Sequence, residues 1–419
     1  MTMTTARSTR RVARRPATAL LAWALLTSVA PAWAQDSRAA DAEQARDAKA
    51  ATVTAEHRSI IERALYSIED DLLLERWLAA PRGVFVRLGG IGEGAGFGVG
   101  PAFRYNVPAF DLRASAAGSI KQYVIAEAAL RFPGTPGTNE YVRPNGPYVE
   151  LAGRYRDFPQ EDFFGLGANS NFAARSNYAL RETTGTLTGG LARRNLTTGL
   201  TSGYTLTDAG PGTDTEMPST TRFFTPAQVP GMSGRPEFLT VGPFVRFQTR
   251  DRSINKADGG EYVASFTRFD DRTSAGYSFD RWDVDLRQFL VFGRRTRSIA
   301  LRAWGASTTP RDGGEVPFYM QPWLGGARTL RGFKTFRFRD RSALLLQGEY
   351  RWRVNEFVTG ALFYDTGAVA RSIGAIGDLE KSWGGGLRLG GRMGSAVRLD
   401  MAFGSGEGGR LLVRFDDVF

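Results

Sequence analysis

Few side chains in this 419-residue chain could make or break a bond. It has no cysteine and a single histidine, His57, so thiol nucleophiles, thiolate metal sites and disulfides are excluded, and most imidazole chemistry with them. A serine nucleophile would have to use His57 with Ser59, and two residues apart on one helix their side chains point to different faces. The run Gly92-Glu93-Gly94-Ala95-Gly96 lacks the spacing of a dinucleotide loop, and no helical pattern follows it. Asp270, Asp271, Asp280, Asp283 and Asp285 offer oxygens, but Arg268, Arg272, Arg281 and Arg287 interleave with them, which predicts neutralised pairs in place of a calcium site. Two other carboxylates stand out. Glu349 is in phase with Arg351 and Arg353 and opposite Tyr350 and Trp352; Asp365 is in phase with Phe363 and Gly367 and opposite Leu362 and Tyr364. On neighbouring strands that parity turns both carboxylates to one side, where they need a cation. The chemistry this predicts is ionic, with no catalytic residue, cofactor or metal.

The elements that must position these groups are strands. From Gly83 to Phe419 side-chain character alternates with period two, as in Asp280 to Gln288, where Arg281, Asp283, Asp285 and Arg287 face one way and Trp282, Val284 and Leu286 the other. No helical runs are available there to cover the apolar face. A closed barrel with lipid outside and a polar lumen uses both faces, so the pattern predicts an all-β membrane protein. Alternating stretches at 83–92, 95–106, 109–119, 120–132, 146–157, 178–193, 196–206, 236–249, 260–271, 276–291, 296–306, 342–354, 357–369, 383–391, 395–403 and 409–419 predict a 16-stranded antiparallel transmembrane barrel. Tight links such as Asn355-Glu356 and Gly391 to Gly394 alternate with long ones at 133–145, 158–177, 207–235 and 307–341, the latter assigned to the cell exterior. The last strand places Val413, Phe415 and Phe419 on one face, the form of an outer-membrane assembly signal, with Asp417 interrupting the apolar row.

Residues 1–34 read as a signal peptide: Arg7, Arg10, Arg11, Arg14 and Arg15, then the apolar run Ala17 to Ala30, then Ala32-Trp33-Ala34 as a small-x-small cleavage site. Five units of the formal charge of +11 sit on those arginines, so much of the basicity reflects export, and a nucleic-acid partner is not expected. Residues 35–82 form a periplasmic lead-in and a short amphipathic helix, with Ile60, Ile61, Ala64, Leu65, Ile68, Leu72, Leu73, Trp77 and Leu78 at helical spacing. Its apolar stripe is expected to dock on the barrel mouth, since it lacks the cationic face of a lipid-surface helix.

The loop before the twelfth strand reads Leu324-Gly325-Gly326-Ala327-Arg328-Thr329-Leu330-Arg331-Gly332-Phe333. It resembles the arginine motif of the BamA and TamA outer-membrane assembly-factor superfamily, the bacterial surface antigen family. Gly348-Glu349-Tyr350-Arg351, Phe363-Tyr364-Asp365-Thr366-Gly367, Gly384-Gly385-Gly386-Leu387-Arg388 and Arg398-Leu399-Asp400 resemble its further motifs in the same order. The resemblance covers residues 320–419 by motif and the rest of the barrel by pattern. It implies that the loop folds back into the lumen, that Arg331 meets Glu349 and Asp365, and that Gly332 permits close backbone approach. Guanidinium suits this bidentate task better than an ammonium.

Family members usually carry periplasmic POTRA domains, and the 48 residues from 35 to 82 are too few for one, so the expectation is a barrel-only member. The resemblance implies a gated barrel that assists insertion, assembly or translocation of outer-membrane components, with outer-membrane lipid and a periplasmic partner or client protein as partners. A passive diffusion pore and a structural surface antigen without transport are the alternatives. Gly89, Gly90, Gly92, Gly94, Gly96, Gly98 and Gly100 are read as lying in the first strands, where they either loosen a seam that opens or simply curve the wall.

Overall fold

The computed structural model describes residues 82–89, 91–134, 145–232, 234–249, 258–273, 276–293, 296–355, 357–391 and 394–414. The proposed leader at 1–34, the helical stretch at 56–78, and Phe415 and Phe419 lie outside the described residues. The strands are β1 (Gly83–Leu88), β2 (Gly98–Asn106), β3 (Asp111–Ser119), β4 (Val124–Phe132), β5 (Gly146–Phe163), β6 (Ser176–Arg193), β7 (Leu196–Pro211), β8 (Glu237–Gln248), β9 (Gly259–Asp271), β10 (Phe279–Phe292) and β11 (Arg297–Pro310). There follow two strands of two residues, β12 (Trp323–Leu324) and β13 (Phe338–Arg339), and then β14 (Ser342–Arg353), β15 (Val358–Ala370), β16 (Glu380–Gly391), β17 (Gly394–Gly404) and β18 (Gly408–Arg414). All but β12 and β13 join one 16-stranded sheet in which every strand pairs antiparallel with its sequence neighbours. No helix among the described residues is long and apolar enough to cross a membrane.

Alternation explains the two faces. On β10, Trp282, Val284, Leu286 and Leu290 are exposed, while Arg281 pairs with Asp283 and Arg287 with Asp285 on the other side. The same division holds on β15 and β16, where Leu362, Tyr364, Trp383 and Leu387 point out and Phe363, Asp365, Ser382 and Arg388 are buried. Apolar side chains left exposed over the whole wall need a lipid solvent, and a membrane strand tolerates them only if its backbone polar groups are paired with neighbours. The sheet curls round the loop between β11 and β14. Residues of that loop touch strands far apart in it: Arg331 meets β14 and β15, and Arg339 donates to Tyr178 of β6 at 3.0 Å. A cavity of ≈ 680 Å³ is lined by residues of β1 to β6.

Three details depart from the alternation. β5 runs on to Phe163 and β6 starts at Ser176, because a register shift between Phe158 and Glu161 interrupts the period without ending the pairing. The 133–145 connection joins β4 to β5 and so leaves the sheet at the end that carries the short turns, opposite the other long loops; strand parity, not loop length, decides the side. Of the described glycines among those assigned to the first strands, only Gly98 and Gly100 lie in one. Gly92, Gly94 and Gly96 belong to the β1–β2 connection, and Gly94 and Gly96 take positive φ there, so they shape a turn and loosen no ladder. The acidic cluster resolves into pairs: Asp270 with Arg311, Asp280 with Arg268, and Asp285 with Arg287 and Arg302, while Asp271 accepts from the backbone of Thr273 and Tyr277.

The two faces should answer differently to the same charge. Leu362→Arg, on the lipid side, is expected to cost about 2–4 kcal/mol near the bilayer midplane, whereas Thr186→Arg on the luminal side should cost well under that. Urea unfolding of both variants refolded into lipid vesicles measures the difference; equal costs would mean that the outward face is not in lipid.

Candidate functional site

The loop from residue 311 to 341 enters the sheet as a packed body. Leu324, Leu330, Phe333 and Phe338 are buried against Ala343 and Leu345 of β14 and Val369 of β15, with the Phe333 and Phe338 rings 5.1 Å apart. Gly325 and Gly326 reverse the chain at φ +106° and +100°. The small β12–β13 ladder closes the base of the turn. With the apolar side chains pinned, Arg331 is left with one direction to point, toward β14 and β15.

Arg331 is 0% exposed. Its Nε donates to Asp365 Oδ2 at 2.8 Å and its Nη2 to Asp365 Oδ1 at 2.7 Å, the fork geometry that a guanidinium offers a carboxylate. Nη1 donates to Glu349 Oε2 at 2.6 Å. The Arg331 backbone N–H also donates to Asp365 Oδ2, at 3.3 Å, and the guanidinium lies 3.4 Å above the centre of the Phe363 ring. Burial opposes the charge on Arg331, but Asp365 and Glu349 outweigh it and raise its pKa above the ordinary guanidinium value. Gly332, next along, donates its N–H to Ser382 Oγ of β16 at 2.7 Å. A Cβ here would lie 2.4 Å from the Phe403 carbonyl carbon and from the Gly404 nitrogen of β17, so only glycine lets the loop lie this close to the wall.

The set is wider than Arg331, Glu349 and Asp365. Glu349 Oε1 receives Arg351 Nε at 2.7 Å and stands 2.9 Å from Arg388 Nη2, and Arg388 also pairs with Asp400. Gln347 donates to Asp365 Oδ1 at 3.1 Å and to the Thr329 carbonyl at 2.7 Å, and Arg398 Nη2 donates to the Ala327 carbonyl at 2.9 Å. Arg388, Arg398 and Asp400 were legible only as parts of family-like strings; their parity, opposite Leu387, Leu399 and Met401, puts them on the inner face with Glu349. Gln347 and Ser382 carry no charge to draw attention, yet each fastens loop backbone. The lumen at this point is also drier than a wet channel interior, for Arg331, Glu349, Asp365 and Asp400 all have side chains at 0% exposure. Nothing in the arrangement offers a nucleophile beside a base; what it can do is hold a loop to a wall.

A family model described as the Omp85 superfamily domain matches residues 151–409. Among solved structures, BamA from Haemophilus ducreyi lacking POTRA domains 1–3 is similar with a TM-score of 0.58 at 14% identity, over 79% of this chain and 69% of that one. CdiB from Escherichia coli gives 0.48 at 14% identity, over 79% and 58%, and CdiB from Acinetobacter baumannii 0.44 at 13%, over 80% and 56%. No curated protein matches the chain in sequence. The likeness to BamA is one of fold, and the motifs at 324–333, 348–351, 363–367 and 398–400 all fall inside the matched region.

Substitutions at two positions separate charge from shape. Arg331→Ala leaves Glu349 and Asp365 buried without their shared cation, and losing one partner of a dry pair costs about 3–5 kcal/mol. The loop should then become open to protease while the sheet stays assembled, and Arg331→Lys should restore little, since a point charge cannot serve two acceptors in fork geometry. Gly332→Ala keeps every charge but is expected to lift the loop through the clash with Phe403 and Gly404. Limited proteolysis of the refolded protein reads both, and wild-type resistance in both variants would show that neither contact holds the loop.

Proposed function

The chain belongs to the Omp85 superfamily, and from that premise we propose that it assists the insertion, assembly or translocation of outer-membrane components as a gated bacterial outer-membrane barrel. Its partners in this reading are outer-membrane lipid around the exposed wall and a client or periplasmic protein, and its N-terminal leader directs export. No bond is made or broken. The observation that carries the reading is the dry ion cluster at Arg331. A diffusion pore works by an open lumen, whereas here a loop is fastened into the interior by hydrogen bonds from both its side chains and its backbone. Such a fastening suits a barrel whose work is done at its wall and whose lumen opens seldom.

Conductance distinguishes this from a passive pore. The purified full-length protein in a planar bilayer should show rare and irregular openings, and Arg331→Ala should make them more frequent. Steady ohmic current from the wild type would favour the diffusion pore. Depletion of the protein should also lower the amount of other heat-modifiable barrels in the outer membrane, and an unchanged outer-membrane profile would count against an assembly role.

A further inference from the structure

The sheet has a first and a last strand, and among the described residues no backbone ladder joins β1 to β18. Side chains span the gap instead, and they converge on Glu93. This residue lies in the β1–β2 connection, outside every strand, and its side chain is 7% exposed. Its Oε2 accepts the backbone N–H of Ala327 in the inward loop at 3.3 Å. Its Oε1 receives no hydrogen bond but faces Arg414 Nη2 of β18 at 3.4 Å and Arg328 Nε of the loop at 3.6 Å. Ala327 is held from the opposite side as well, for its carbonyl accepts Arg398 Nη2 of β17 at 2.9 Å. One loop residue is thus tied through its N–H to the start of the sheet and through its carbonyl to the end of it.

We propose that Glu93 is a positioning residue that clasps the β1–β18 seam shut through the inward loop. The inference rests on the gated-barrel reading above and adds to it the group that would hold the gate. A carboxylate suits the task because it can accept from a backbone amide with one oxygen and attract two guanidinium groups with the other. With Glu93 absent, its contacts to Arg328 and Arg414 are lost, and the loop loses the Ala327 bond to the β1–β2 connection while Arg331 keeps its hold on β14 and β15. Gly326 belongs to the same device: a Cβ there would stand 3.0 Å from Glu93 Oε2, in a backbone conformation of φ +100° that already favours glycine.

The test uses the full chain in planar bilayers, with limited proteolysis of the inward loop in parallel. Glu93→Gln keeps an acceptor for Ala327 but discards the charge, and Glu93→Ala discards both. Opening frequency should rise in the order wild type, Gln, Ala, with Glu93→Ala about tenfold above wild type, the ratio set by ~1.4 kcal/mol. A merely structural role would not predict the second readout: Arg414→Ala should add little to Glu93→Ala, although each alone increases opening, because the two remove the same contact. Wild-type gating in Glu93→Ala, or fully additive effects with Arg414→Ala, would overturn the clasp. Arg331→Ala is the control that keeps the two readings apart. If it loosens the loop and the Glu93 variants do nothing, the clasp fails and the gated barrel stands; if neither alters conductance, the gated barrel falls with it.

Discussion

A charged group in a dry interior is a liability unless it is paired, and the inward loop and inner wall of this protein together bring four arginines and three carboxylates to one such place. Arg331, Arg351, Arg388 and Arg398 stand against Glu349, Asp365 and Asp400. Burying such ions is costly, and replacing them with apolar side chains of similar volume would often do no harm to stability. What an ion cluster supplies that an apolar patch does not is direction. Apolar contacts among Leu324, Leu330, Phe333 and Phe338 would let the loop slide on β14 and β15, whereas the fork on Asp365 and the single bond to Glu349 admit one position. The close backbone approach at Gly332 then becomes possible because the loop is held in register with β16 and β17.

The wall makes that cluster affordable in structural terms. Each inner-face charge sits on a strand whose own amides and carbonyls are already bonded to two neighbours, so loosening the loop leaves the ladder intact. The same division of labour separates the two sets of ion pairs in the lumen. Pairs on the β9–β11 wall, such as Arg281 with Asp283 and Arg268 with Asp280, are partly exposed and contribute little beyond neutrality. Pairs around Arg331 are dry and decide where a segment of chain lies.

How far the sequence carried the structure follows from the range of each interaction. Strand order and strand face depend on a period of two within a single segment, so the sixteen strands and the inward parity of Glu349 and Asp365 could be read directly from the residues. The meeting of Arg331 with those carboxylates joins positions across a long loop that no local period encodes; only the family-like strings suggested it. The extra length of β5 and β6 was hidden by the shift at Phe158 and Glu161, which breaks the period while the pairing continues. The glycines after β1 were misplaced for a related reason. In strands and turns alike glycine leaves no side-chain pattern, and positive φ at Gly94 and Gly96 is a property of the folded chain. Glu93 was visible only as the odd residue in a glycine run, because the groups that give it meaning, Ala327, Arg328 and Arg414, are far away in sequence.

The loop is held unequally on its several sides, and that inequality has a direction. Toward β14 and β15 the contacts are short, dry and bidentate. Toward Tyr178 of β6 the link is a single bond from Arg339, and toward the β1–β2 connection it consists of longer contacts through Glu93, one of whose partners, Arg328, is nearly half exposed, while Glu407 of the β17–β18 turn accepts from the Arg337 guanidinium and, at 3.3 Å, from the Lys334 N–H. Water competes for the second kind of contact and hardly at all for the first. In the gated reading proposed above, strain on the sheet would therefore be absorbed first on the β1 side of the loop, with the loop travelling as part of the wall from β14 to the β17–β18 turn. On that proposed reading the molecule has one rigid side, from β14 onward, and one yielding side, at β1. The ion cluster at Arg331 does not oppose motion of the barrel; it determines which part of the barrel the loop moves with.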